Sequence, residues 1–302
     1  MNEFGNLIIN AESYEDALSK AGLDWEVTAE DTYFDYPDGI KRLIPTVKTI
    51  VRDTDKAPLG VVSDRYVIVN NKDAFELTEI LFKDSDIEFI RGGEIKNGAS
   101  TWIECKVKNK EFSEDGNTEP IIVFKNSHDG LGSVLAMFSF KIGDTYMSLP
   151  VGTRRWHTAH KGSIVDKMKE AQELLLENTQ YMKNVVREIN VLKTINLTFE
   201  DITSLIERLF PIPADGTEAR EKLSDRQVEK ILSNRMTLST IYDTIATDSK
   251  FDDNAYRFIL AVATYVNECC GRKTPDGDLN RWMSINKGNA LIDKAYNMVI
   301  TL

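Results

Sequence analysis

The apolar residues of this chain change their spacing once, close to Gly152. Before it they alternate, or run together in short β-branched and aromatic stretches. After it they recur every three or four residues. A period of two is what a pleated strand buries on one face, and a period near 3.6 is what a helix buries as a stripe. This order predicts an α+β fold: an antiparallel sheet with packed helices in the N-terminal half, and a helical C-terminal half carrying one long amphipathic helix. The change of period divides the chain into a sheet domain, residues 1–152, and a mainly helical region, residues 153–302, either packed with the first as one unit or separate from it.

Local signals fill in this outline. Residues 12–21 read as a short helix with Ser13 as its N-cap. Asp16 follows three later, a shorter form of the capping box. Residues 45–70 read as strand, turn and strand, and residues 71–82 as a helix. Strands over 87–91 and 101–107 flank a glycine-rich connection in which Asn97-Gly98 is a strong hairpin signal. Further strands are expected over 119–126, 134–140 and 146–149.

Beyond Gly152, Ile164, Met168, Ala171, Leu175, Asn178, Met182, Val185, Ile189 and Leu192 form one seam with a single polar position. Such a seam either docks on its own domain or pairs with another chain, where a lone Asn sets register. Pro211 and Pro213 close a helix over 199–209, and 214–224 reads as a loop. Further helices are expected over 224–232, 237–244, 255–270 and 287–299, with a turn-rich connection at 271–280.

The net charge of −11 removes a whole-surface basic footprint, so any nucleic-acid contact must be local. No apolar run reaches the roughly 18 residues of a membrane helix, and the N-terminus lacks the basic and apolar regions of a signal peptide. The three cysteines, Cys105, Cys269 and Cys270, contain no Cys-x-x-Cys pair, which fits free thiols in a reducing cytoplasm. Trp25, Trp102 and Trp282 read as core residues.

Two segments concentrate chemistry. The first is Lys125-Asn126-Ser127-His128-Asp129-Gly130, continuing to Ser133. Its backbone amides and Lys125 suit a phosphate, and the same composition suits a hydrogen-bonded β-turn with His128 and Asp129 as structural caps. The second is Arg154-Arg155-Trp156-His157-Thr158-Ala159-His160-Lys161. Between Val151 and Glu170 there are five Lys/Arg against two Asp/Glu, a local reversal of sign. Cations interleaved with an aromatic suit a single-strand binder, and the same residues suit the start of a long charged helix. All three histidines fall in these segments, so His128, Asp129, His157 and His160 are also a conceivable metal set, with His157 and His160 at helical spacing.

The chain resembles the phage/plasmid-like protein family of unknown function. The resemblance is carried by residues 59–75 (Leu59-Gly60-Val61-Val62-Ser63-Asp64-Arg65-Tyr66 and onward), by residues 92–98 with Trp102 after them, by Asn126-Ser127-His128-Asp129-Gly130, and by Arg155-Trp156-His157-Thr158. Residues 255–295 are similar to its closing helices. The chain departs from the family pattern at 140–151, where an Arg-Val-Val-Cys segment and a following Asn-Thr-Leu are replaced. The resemblance implies a gene of a phage or plasmid expressed in a bacterial cell, and brings no assigned activity.

Three functions follow as expectations. The first is a nucleic-acid-binding protein, a single-strand annealing or replication accessory factor working as a homo-oligomer. Its contacts would be Lys125, Asn126, Ser127, His128, Lys141, Arg154, Arg155, Trp156, His157, His160 and Lys161. The second is a protein-binding inhibitor of a host factor such as a defence system. The third is a metal-assisted hydrolase. The first two imply no cofactor and no membrane.

Overall fold

The computed structural model describes residues 4–76, 78, 87–108, 112, 118–160, 180–246, 252–271 and 274–302. It is α+β, with an antiparallel sheet built mostly from the N-terminal half and helices in the C-terminal half. Among the described residues no helix is long and apolar enough to cross a membrane.

The strands are β1 (Asn6–Leu7), β2 (Val27–Asp35), β3 (Lys41–Arg52), β4 (Pro58–Ser63), β5 (Ile87–Ile95), β6 (Ser100–Val107), β7 (Thr118–Ser127), β8 (Val134–Ile142), β9 (Thr145–Met147) and β10 (Arg155–Thr158). Helix α1 (Tyr14–Ala21) follows β1, and α2 (Asn71–Phe75) follows β4. The large sheet runs β1-β5-β6-β7-β8-β10, with β9 on β8; the small one runs β2-β3-β4. The chain divides into a sheet unit, residues 4–138 and 155–160 among those described, and a helical unit, residues 139–154 and 181–302.

In the sheet unit, β6, β7 and the start of β8 are buried on both faces, which is why they read as apolar runs rather than strict alternation. Trp25, Val27, Ile50, Leu59 and Val62 form the core beneath the small sheet. Helix α1 has the expected cap: Ser13 Oγ accepts from Asp16 N at 3.2 Å. Asp16 returns to the amide of Glu12, one residue before the cap, at 2.9 Å.

The hairpin at Asn97-Gly98 forms as expected, with φ of 52°, 54° and 92° at Lys96, Asn97 and Gly98. Gly98 is required twice over. Its φ is left-handed, and a Cβ there would lie 2.2 Å from Arg52 Nη2.

Strand β2 was not legible as a strand, because of its nine residues only Val27 is buried. Pairing with β3, not a core face, makes it one. Strand β3 is central yet holds Pro45. Its pairing with β4 begins only at Val47, and its pairing with β2 changes register between Asp31 and Tyr33. Pro45 falls in that break, where no ladder bond needs its missing N–H. Beyond it the hairpin continues as a two-stranded ribbon.

In the helical unit, residues 180–194 are helical and bury Met182, Val185, Ile189 and Leu192 within the chain. The earlier seam positions, Ile164 to Asn178, lie outside the described residues. Helices follow at Phe199–Leu209, Glu218–Glu221, Asp225–Ala246, Ala255–Cys269, Pro275–Lys287 and Ala290–Val299. The helix Ala255–Cys269 is buried on nearly all sides up to Asn267 and is mostly apolar, with Arg257 and Asn267 as its buried polar residues. Asn267 serves as a surrogate strand partner for β9, accepting from Tyr146 N at 3.1 Å and donating to Tyr146 O at 2.8 Å.

Three expectations need correction here. Residues 224–232 and 237–244 belong to one helix, because no Gly or Pro interrupts them. The connection at 271–280 contains a helix start, with Thr274 Oγ1 accepting from Gly277 N at 3.0 Å and Pro275 in the first turn, where it lacks no needed donor. The segment 214–224, expected as a loop, contains the short helix Glu218–Glu221, capped by Thr217.

Candidate functional site

The motif Asn126-Ser127-His128-Asp129-Gly130 closes β7 and turns towards β8. Asn126, Ser127 and His128 are each about 1% exposed or less. Their polar atoms are committed to the protein itself. Asn126 Nδ2 donates to Val69 O at 2.9 Å, and its Oδ1 accepts from Ser127 N at 2.9 Å. Ser127 Oγ donates to Asp129 Oδ1 at 2.7 Å, which also accepts from Leu131 N at 2.9 Å. His128 N donates to Ala99 O at 2.8 Å, and Tyr66 OH to Ser127 O at 2.9 Å. The amides of Ser127, His128 and Leu131 thus face internal acceptors, as in a hydrogen-bonded turn.

The hub of the network is Asn71. Its Oδ1 accepts from Thr101 Oγ1 at 2.7 Å and lies 3.0 Å from His128 Nε2, while its Nδ2 donates to Leu23 O at 3.1 Å. Asn71 was not singled out from the sequence, because an Asn pair before a helix reads as capping chemistry. Its neighbour Asn70 stands at the N-cap position of α2 but makes no side-chain cap bond there. Asn70 Oδ1 accepts from Val27 N at 2.9 Å, tying α2 to the first residue of β2.

The turn also meets β4. A Cβ on Gly60 would lie 2.5 Å from Asp129 Cα, so the two backbones touch where only glycine fits. The two separate sequence stretches around Gly60 and Asp129 are thus one piece of packing.

His160 comes to the same region. It is 3% exposed, stacks on Tyr66 with ring centroids 4.9 Å apart, and its Nδ1 donates to Val67 O at 3.3 Å. Its Nε2 is buried without a hydrogen-bond partner among the described residues. Burial is the main cause that pushes His128 down to about 3; the charge of His160 adds to it and Asp129 opposes it. His160 is lowered too, again chiefly by burial. Both histidines are neutral at ordinary pH. Lys125, half-buried, donates to Ser100 Oγ at 3.0 Å, and Ser100 Oγ donates to Ser127 Oγ at 3.3 Å.

The second segment departs from its expected form. Residues Arg155–Thr158 are strand β10, paired antiparallel with β8 in the register Trp156↔Ala136 and His157↔Leu135, and not the start of a helix. The pairing overrides the local helix preference because β10 places Trp156 and Thr158 inward. Trp156 packs on Val69, Ala74 and Val134. Arg155 and His157 point outward and are exposed. His157 and His160 therefore do not share a helical face, and no group of three or more His, Cys, Asp or Glu among the described residues is placed to hold a metal.

Arg154 belongs to the helical unit, where it makes a two-point ion pair with Asp293 at 2.6 and 2.8 Å. Lys141, half-buried, holds its Nζ 5.9 Å from the centre of the Tyr146 ring. Lys161 lies outside the described residues. Of the eleven residues expected to contact nucleic acid, Arg155 and His157 are those the structure leaves exposed on a common strand face; Asn126, Ser127, His128 and His160 are interior.

The site is therefore a closed polar network inside an α+β sheet unit, beside an edge strand carrying two outward basic side chains. The chain belongs to the family described as Domain of unknown function (DUF932), whose profile matches residues 58–285, from the start of β4 to the end of the motif-bearing region and on into the helix Pro275–Lys287. No curated protein and no solved structure matches the chain.

Proposed function

We propose that the protein binds single-stranded nucleic acid along the outer face of β10. In this reading it is an oligomeric accessory factor of strand annealing, replication or recombination, encoded by a phage or plasmid and working in the bacterial cytoplasm. The observation that supports it most is the outward pair Arg155 and His157 on an edge strand of an acidic protein. An edge strand that turns the Arg155 guanidinium and the His157 imidazole outward, two residues apart, offers a track for a phosphate backbone. The polar network behind it holds β7, α2 and β4 in place and takes no part in contact. Fluorescence anisotropy of a labelled single strand at two salt concentrations tests the reading. Binding that falls steeply with salt and weakens in Arg155→Ala supports it. No binding at low salt ends it.

A second reading, a protein-binding inhibitor of a host factor, draws support from the exposed apolar side chains of the β2–β3 ribbon and from the net charge of −11. Retention of one host protein by the wild-type chain, lost when the ribbon is altered, would favour it over the first.

A further inference from the structure

The distal part of the β2–β3 hairpin has no core of its own. Past Pro45 it pairs only Tyr33 with Leu43, Phe34 with Arg42 and Asp35 with Lys41, and β4 does not reach it. Tyr36 N donates to Ile40 O at 3.2 Å and closes the tip. A two-stranded ribbon of this kind is marginal in water by itself. Yet Tyr33, Phe34, Ile40 and Leu43 are each about half exposed, and Tyr36 is 38% exposed. Solvent-facing apolar residues grouped on one projection mark a contact surface.

The charges on the ribbon say what kind of surface meets it. Between Asp31 and Leu43 there are three acids and two bases. Lys41 faces Asp35 at 3.9 Å and Arg42 faces Asp38 at 3.8 Å, all four being half or more exposed. A polyanion gains nothing from such a balance, and neither does a strongly basic partner. A two-fold contact between identical surfaces requires a patch complementary to itself, carrying both signs beside apolar area. The ribbon has that composition: each exposed acid has a base beside it that an identical ribbon can supply instead. Solvated pairs of this type hold little energy and exchange partners readily.

We infer that the β2–β3 ribbon is a self-association surface, on which a second copy of this chain docks its own ribbon. The cross-strand pair Tyr33 and Leu43 supplies the apolar contact, and on the same face of the ribbon Lys41 of one copy pairs with Asp35 of the other. The inference stands on the ribbon alone, so a chain that binds no nucleic acid can still show it.

Sedimentation velocity of the full chain over a wide concentration range tests it. A concentration-dependent dimer is expected. Tyr33→Ser with Leu43→Ser removes four half-exposed apolar side chains from the two-fold contact and weakens it by about ten-thousandfold, roughly tenfold for each. Both positions are outside the core, so the thermal midpoint stays near that of the wild type. Lys41→Asp alone weakens the dimer, and adding Asp35→Lys restores it, because the swapped patch is again complementary to itself. A monomer at every concentration overturns the inference. So does a dimer indifferent to the ribbon substitutions, or a charge swap that fails to restore association.

Discussion

His128 Nε2 lies 3.0 Å from Asn71 Oδ1, across 57 residues of chain. The amide nitrogen of Asn71 is committed to Leu23 O, so its oxygen can only accept and His128 Nε2 must carry the proton. The 3.5 Å approach of Asn126 Nδ2 to the same ring nitrogen then sets two donors face to face and contributes no hydrogen bond. Burial holds His128 neutral, and one buried amide oxygen fixes it as the Nε2–H tautomer.

That arrangement makes Asn71→Ala costly. It strips the acceptor from both Thr101 and His128 and the donor from Leu23 O. Each group left unsatisfied costs about 1–3 kcal/mol, so a loss of roughly 3 kcal/mol or more in urea unfolding is expected. Asn71→Asp keeps the acceptor and places a negative charge beside the ring. It should raise the pKa of His128 relative to the wild type, as read from its imidazole resonances.

Stability should depend on pH through the same residue. In the folded chain burial lowers His128 from 6.5 to about 3, and His160 is lowered as well. The unfolded state then binds more protons below about pH 6.5, so stability is full above that value and declines as pH falls towards 3. Between about pH 5 and 6.5, where carboxylates are still ionised, His128 alone contributes up to about 1 kcal/mol per pH unit. His128→Gln should flatten this decline in denaturation curves taken at several pH values; an unchanged slope would contradict the assignment.

Gly60→Ala tests the contact between β4 and the motif turn. The new Cβ would meet backbone at Asp129, which cannot swing aside as a side chain can. A loss of about 2–3 kcal/mol is expected, with Val61→Ala, exposed on the same strand, nearly neutral by comparison.

Arg154 and Arg155 are neighbours with opposite expected phenotypes. Arg154→Ala leaves Asp293 without its two-point partner and should lower stability by about 1–2 kcal/mol, and Arg154→Lys should not fully restore it because an ammonium cannot form the fork. Arg155→Ala should leave stability within about 0.5 kcal/mol and reduce the salt slope of single-strand binding by about 0.7, one phosphate contact. Unfolding and anisotropy measured on both variants separate the two roles.

The two segments that carry the chemistry were recognisable from residue types, but their states were not. Asn126, Ser127 and His128 look as suited to holding a phosphate as to closing a turn. The acceptors that tie them into a turn, Val69 O, Asn71 Oδ1 and Ala99 O, come from distant positions. Arg154, Arg155 and Trp156 read equally as a helix start and as a basic track. The ladder to β8 made Arg155–Thr158 a strand, and Asp293 claimed Arg154.

The linear order of residues settles where the sheet gives way to helices, which strands run buried, where the Asn97-Gly98 hairpin turns and where α1 is capped. Those features depend on periodicity and on the conformational limits of individual residues, which act over a few positions. Strand β2, the role of Asn71, the burial of the motif and the exposure of Arg155 and His157 were decided by tertiary structure. Each depends on a partner that the chain brings near only after folding, and the free energy of a buried hydrogen bond or a strand ladder exists only once that partner is in place.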